Sequence, residues 1–192
     1  MKRLLLYIIG LFSLSTFGCQ NKYSSIESKH LSQYRDTLIG RFNDIDIDTL
    51  IAEPIDTTKE RPMWDWKIYS TLNSVDTLIL TQRFSVKMIQ EGDLDGNGTD
   101  EFGIRREVEQ GTWDGYFIYS YNNGKWQYLI NPIWTYSVHF YEELNNGNDV
   151  AEKTDNPSII KVRFSDVRNN GEDFLIIDTL IQINPQKIEG FE

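Results

Sequence analysis

This sequence predicts a mainly β fold of antiparallel strands packed in one compact domain, and three observations carry that reading. Apolar and polar residues alternate at period two through most of the chain, as in Ile45-Asp46-Ile47-Asp48-Thr49-Leu50-Ile51, which sets apolar side chains on one face of a strand. Asn-Gly turns punctuate these runs: Asn122-Asn123-Gly124 stands between Tyr121 and Lys125, and Asn145-Asn146-Gly147 and Asn169-Asn170-Gly171 look alike. Asn and Gly tolerate the positive φ angles of tight hairpin turns. Helical periodicity is almost absent, with one short candidate at Val138–Leu144.

Taken in order, residues 1–18 have the form of an export signal. Lys2 and Arg3 supply a positive start, and Leu4–Leu14 an apolar stretch too short to span a membrane permanently. Gly18-Cys19 follows. A cysteine after glycine at the end of such a segment resembles the lipobox of bacterial lipoproteins, with Thr16 where that motif has leucine. The resemblance implies lipidation of Cys19, anchoring in the cell envelope of a Gram-negative bacterium, and an outer-membrane location on the periplasmic or surface face. The several acyl chains of a mature lipoprotein hold a protein far more firmly than a single one. Residues 19–33, polar and serine-rich, then form a lipid-anchored tether, and 34–192 the β domain.

Strand-like runs in that domain are Thr37–Ile39, Ile45–Ile51, Trp64–Leu72, Thr77–Leu80, Phe84–Ile89, Glu101–Glu109, Tyr116–Tyr121, Trp126–Ile130, Ile159–Phe164 and Phe174–Ile183. The chain's 192 residues can bury a core without disulfides, and its single cysteine permits none within the chain. A formal net charge of −10 repels phosphate backbones, so nucleic acid is excluded as a partner, while divalent cations are favoured.

The segment most informative about chemistry is Gly92-Asp93-Leu94-Asp95-Gly96-Asn97-Gly98-Thr99-Asp100-Glu101. Side-chain oxygens at alternate positions, Asp93, Asp95 and Asn97, can converge because glycine lets the chain turn sharply. The Thr99 carbonyl and the Glu101 carboxylate would extend the shell towards the six to eight oxygens calcium takes. An EF-hand is excluded, because the twelfth position from Asp93 is Ile104 and the flanks read as strands.

The pattern is similar to the cation loop of FG-GAP and VCBS-type repeats, which joins two strands in integrin-like β-propellers and closes on an acid, here Glu101. This resemblance implies partial propeller-like blades, a structural calcium ion held by Asp93, Asp95, Asn97, Thr99 and Glu101, and a non-enzymatic recognition role for an unknown protein or glycan ligand. An upstream stretch, Gly40-Arg41-Phe42-Asn43-Asp44-Ile45-Asp46-Ile47-Asp48, looks like a decayed copy. It lacks the loop glycines and places Arg41 where the first acid should be, so no metal is expected there. Asp44, Asp46 and Asp48 are expected on the solvent face of a strand. Two or three such units cannot close a propeller of four or more blades, so they are expected to pack compactly.

Two further readings stay open. Trp113, expected in a loop flanked by Gly111 and Gly115 rather than in a strand, is the aromatic most suited to an exposed glycan contact, whereas the other tryptophans and tyrosines of 64–136 are expected in the core. An enzyme or enzyme inhibitor of another kind is the remaining alternative. His30 and His139 lie far apart in the chain, and no phosphate loop or nucleophile motif is present.

Overall fold

The computed structural model describes residues 34–44, 46–55, 63–107, 112–166 and 175–188. Cys19, the expected export segment and tether (residues 1–33) and Asn169-Asn170-Gly171 all lie outside them. The described chain is mainly β and antiparallel. Strands β1 (Asp36–Gly40), β2 (Asp48–Pro54), β3 (Trp64–Ser70) and β4 (Leu78–Arg83) form one sheet in sequence order. The next four, β5 (Met88–Gly92), β6 (Glu101–Arg106), β7 (Trp113–Asn122) and β8 (Lys125–Tyr128), make a second such meander.

That second meander is widened by β9 (Ile133–Tyr136), which pairs with β7, and by β13 (Gln186–Lys187), which pairs with β8. Strands β10 (Ala151–Lys153), β11 (Ile159–Ser165) and β12 (Ile176–Gln182) form a third sheet, preceded by the one helix among the described residues, α1 (Ser137–Glu142). The described strands form neither a closed barrel nor a propeller. No described helix is long and apolar enough to cross a membrane.

Two apolar clusters show how the sheets pack. Phe102, Ile104, Phe117 and Tyr119 of the second sheet meet Trp66, Ile68 and Leu80 of the first. Tyr116 and Ile118, pointing the other way along β7, meet Ile160 and Val162 of the third. The second sheet is therefore buried on both faces, which explains why β7 reads as a nearly unbroken buried run from Asp114 to Ser120. The aromatic wealth of the middle of the chain is spent here, in pairs such as Phe102 stacked on Tyr119 at 5.2 Å.

Turn chemistry explains the hairpins only in part. Asn123 (φ 51°) and Gly124 (φ 75°) make the tight turn of the β7–β8 hairpin, with Asn122 paired to Lys125. Asn145-Asn146-Gly147 joins no hairpin. It forms a single 3-10 turn after α1, where a Cβ on Gly147 would lie 2.5 Å from the Ile89 side chain.

The strand expected over Ile45–Ile51 begins only at Asp48. Asp44 and Asp46 stay exposed in the preceding loop. Asp48 does not face solvent: it is 3 % exposed, because its carboxylate fastens the turn after β3. Its oxygens accept from the Ser70 and Ser74 hydroxyls, the Thr71 hydroxyl (2.9 Å) and the amides of Thr49 (2.6 Å) and Leu72 (3.3 Å).

Candidate metal centre

Strand β5 ends in a bulge. Gln90 pairs with Phe102 and Gly92 with Glu101, so Glu91 is left without a register partner. Gly92 (φ 69°) adopts a conformation that side chains resist, which lets the chain leave the sheet and enter the loop. Gly96 (φ 75°) and Gly98 (φ 91°) then fold the loop back to β6. The result brings one carboxylate oxygen each from Asp93, Asp95 and Glu101 within 4.8 Å of one another.

Glu101 is the centre of this group. Its side chain is fully buried, and Oε2 accepts the Leu94 amide at 2.8 Å. Its other oxygen, Oε1, has no hydrogen-bond partner among the described residues, and neither has the buried Oδ1 of Asp93. The buried Ser120 hydroxyl lies near the Glu101 carboxyl without reaching hydrogen-bond geometry. Leaving a charged oxygen buried and unpaired is among the costliest things a fold can do.

The electrostatics express that cost. Burial first, and the Asp95 charge second, push the Glu101 carboxyl up to about 8, against the opposing Leu94 hydrogen bond. Burial also raises Asp95. Three ionised carboxylates at such separations repel by about 3 kcal/mol per pair at an effective dielectric near 20. Lys153 of β10 answers only part of this, with Nζ 3.1 Å from Asp93 Oδ2 at an exposed position.

The five ligand residues expected from the sequence are not placed alike. Asp93, Asp95 and Glu101 converge. Asn97 donates from its amide nitrogen to Asp95 Oδ2 (3.1 Å), and its oxygen accepts from the Thr99 amide (2.7 Å) and hydroxyl (2.6 Å). Asn97 thus knits the loop, and Thr99 is buried beneath it.

Two residues escaped the sequence reading. Lys153 is sixty positions from Asp93 and carries no local signal. Glu91, accepting the Tyr116 hydroxyl, is pushed up to about 8, chiefly by burial and further by the Glu101 charge. The Glu-Gly step at the end of β5 is the clue that would have found it, since a bulge redirects the residue before the glycine. Gly103 makes this arrangement possible, because a Cβ there would lie 1.8 Å from the Tyr116 hydroxyl oxygen.

Trp113 is not in a loop. It opens β7, pairs in register with Tyr136 and packs its half-buried ring edge-on against that residue at 6.0 Å. The strand includes Gly115 because the Phe117 and Trp134 rings occupy the space over it. A serine–histidine contact also exists, Ser165 Oγ to His139 Nδ1 at 2.9 Å. Ser165 is fully buried, accepts the Tyr136 amide and bonds Thr135, so it fastens β9 and α1 to β11 and offers no accessible nucleophile. The chain matches no family model, no curated protein and no solved structure.

Proposed function

We propose that this chain is a non-enzymatic, lipid-anchored envelope protein whose β body is a recognition module stabilised by one calcium ion at the 92–101 loop. The observation that carries the metal reading is the buried, unpaired Oε1 of Glu101, in a carboxyl that converges with those of Asp93 and Asp95. A hard divalent cation is the ligand such a set of oxygens suits. Asp93, Asp95 and Glu101 would hold it, with Asn97 and the Thr99 carbonyl within the same loop. The ion would neutralise the cluster and order the loop; it has no catalytic part. Anchoring through Cys19 rests on the lipobox-like sequence alone.

The relation to FG-GAP and VCBS repeats is part of the same proposal. Its support is positional: both Gly-to-acid segments join the first and second strands of a four-stranded meander, with Gly40 paired to Asp48 and Gly92 paired to Glu101. Four-stranded units are what propeller blades are made of. Calcium titration followed by thermal melting of the full chain tests the metal. An upward shift for the native protein and none for Asp93→Ala is expected; equal curves with and without calcium would sink the reading.

A further inference from the structure

Beside the metal loop lies a second feature, a cleft of about 350 Å3. That size falls within the roughly 300–1,000 Å3 of small-molecule sites. Its walls come from three separate turns: Asn43 and Asp44 after β1, Asn97 from the metal loop, and Tyr121, Asn122 and Asn123 from the β7–β8 hairpin. We infer that this cleft binds a neutral oligosaccharide, which would supply the ligand class that the proposed recognition role leaves open.

The chemistry of the walls selects that class. Carboxamides both donate and accept, as sugar hydroxyls do, and the cleft presents two exposed ones, Asn122 and Asn123, while Asn43 and Asn97 build its wall. Asp44 adds a carboxylate that accepts from two hydroxyls at once. Tyr121 adds a half-buried aromatic ring at the rim, held edge-on against Trp126 at 4.9 Å, with its hydroxyl accepting the Asp76 amide. An amphipathic ring of this kind suits the apolar face of a pyranose. Among the described residues no lysine or arginine lines the cleft, and the chain carries a net charge of −10, so phosphate, sulfate and uronate ligands are disfavoured.

The cleft is also preorganised, which limits the entropy lost on binding. Asn43 is fixed at both ends of its amide, donating to the Ser74 carbonyl and accepting the Asp46 amide. Asn97 is fixed between Asp95 and Thr99. Asn123 is held by the tight hairpin turn. The exposed side chains of Asp44, Asn122 and Asn123 face the opening and are available to a ligand.

The test uses the full chain with calcium and saturation-transfer NMR against neutral oligosaccharides (glucans, xylans, mannans and N-acetylglucosamine oligomers), beside uronate and sulfated ones. Saturation transfer to at least one neutral series, and none to the acidic ones, is expected. Asp44→Ala and Asn123→Gly should each weaken binding roughly tenfold. Asn123→Gly keeps the turn, because glycine accepts a φ of 51°. Asp149→Ala, in a different cleft on the third sheet, should leave affinity unchanged. Silence from every neutral series, equal binding of acidic sugars, or indifference to both cleft variants would overturn the site. Calcium-dependent melting is read on the same samples. A flat melting response with sugar binding intact counts against the metal alone, and a melting shift with no sugar bound counts against the cleft alone.

Discussion

The 40–48 and 92–101 loops leave a first strand at a glycine and enter a second strand at an acid paired to that glycine. In the first, the acid is Asp48, and donors from five groups surround it. In the second it is Glu101, which receives one amide and faces two other carboxylates. Both side chains are almost wholly buried. Burial pushes Asp48 up, but the hydroxyls of Ser70, Ser74 and Thr71 and the Thr49 amide outweigh it and hold the group near 2. Burial and Asp95 instead drive Glu101 up to about 8. A buried carboxylate is tolerable when its own chain supplies the donors. Where the chain supplies acceptors, the buried acid holds its proton to a higher pH, and the 92–101 loop is built in that second way.

The largest expected effect comes from removing the self-sufficient acid. Asp48→Ala removes the shared acceptor of the buried Ser70, the half-buried Ser74 and the exposed Thr71 hydroxyls and empties a buried site, and should lower unfolding stability by about 3 kcal/mol. Urea denaturation of native and variant chains measures it. A loss under half that size would mean that water takes over the bonds, and the contrast between the two loops would weaken.

Acid titration probes the same residue without mutation. Asp48 has a folded pKa below its ordinary 3.8. The stability it contributes is therefore complete above that value and is lost as pH falls through about 2. The loss amounts to about 2 kcal/mol over that window. Denaturant melts at successive acid pH values, repeated on Asp48→Asn, should show this slope in the native chain and its disappearance in the variant.

How far these contrasts were visible beforehand depends on the range of the contacts. The strands around Trp64–Ser70 and the β7–β8 hairpin follow from local alternation and one Asn-Gly turn. The convergence of the three acids of the 92–101 loop follows from their spacing and the loop glycines. Asp48 was misplaced because counting by two groups it with Asp44 and Asp46. Its actual partners, Ser70, Thr71 and Ser74, are more than twenty residues away, and no local pattern announces them. Strand β10, with only three residues and Lys153 at its end, lay below any periodic signal. Trp113 was assigned to a loop from its flanking glycines, yet Gly115 is in a strand because neighbouring rings need its missing side chain.

A smaller effect belongs to the loop that lacks donors. Glu101→Gln keeps the shape and removes the group's ability to ionise. The native protein should gain about 1.4 kcal/mol from calcium at ten times Kd, and the variant almost none. In calcium-free buffer near neutral pH the variant should be no less stable than the native chain, since the buried Glu101 keeps its proton up to about pH 8 while the unfolded chain releases it near 4.5, and an amide bears no such cost. Equal calcium responses in both would separate Glu101 from any metal.

The smallest effect concerns Lys153, the one cation set against the acids among the described residues, 3.1 Å from Asp93 Oδ2. Its ammonium and a calcium ion would seek the same oxygen, so the lysine acts as a weak internal competitor. The pair is well exposed, and exposed ion pairs contribute only about 0.2–1 kcal/mol. Lys153→Ala should therefore tighten calcium binding by no more than about fivefold, and lower calcium-free stability by a similarly small energy. Calorimetric titration of calcium into native and variant chains reads the first, and melting in chelator the second. A variant that binds calcium more weakly would make Lys153 a support of the loop instead of a competitor. Asp93 would then already be spoken for within the fold, as Asp48 is, and the difference between the two loops would narrow to Glu101 alone.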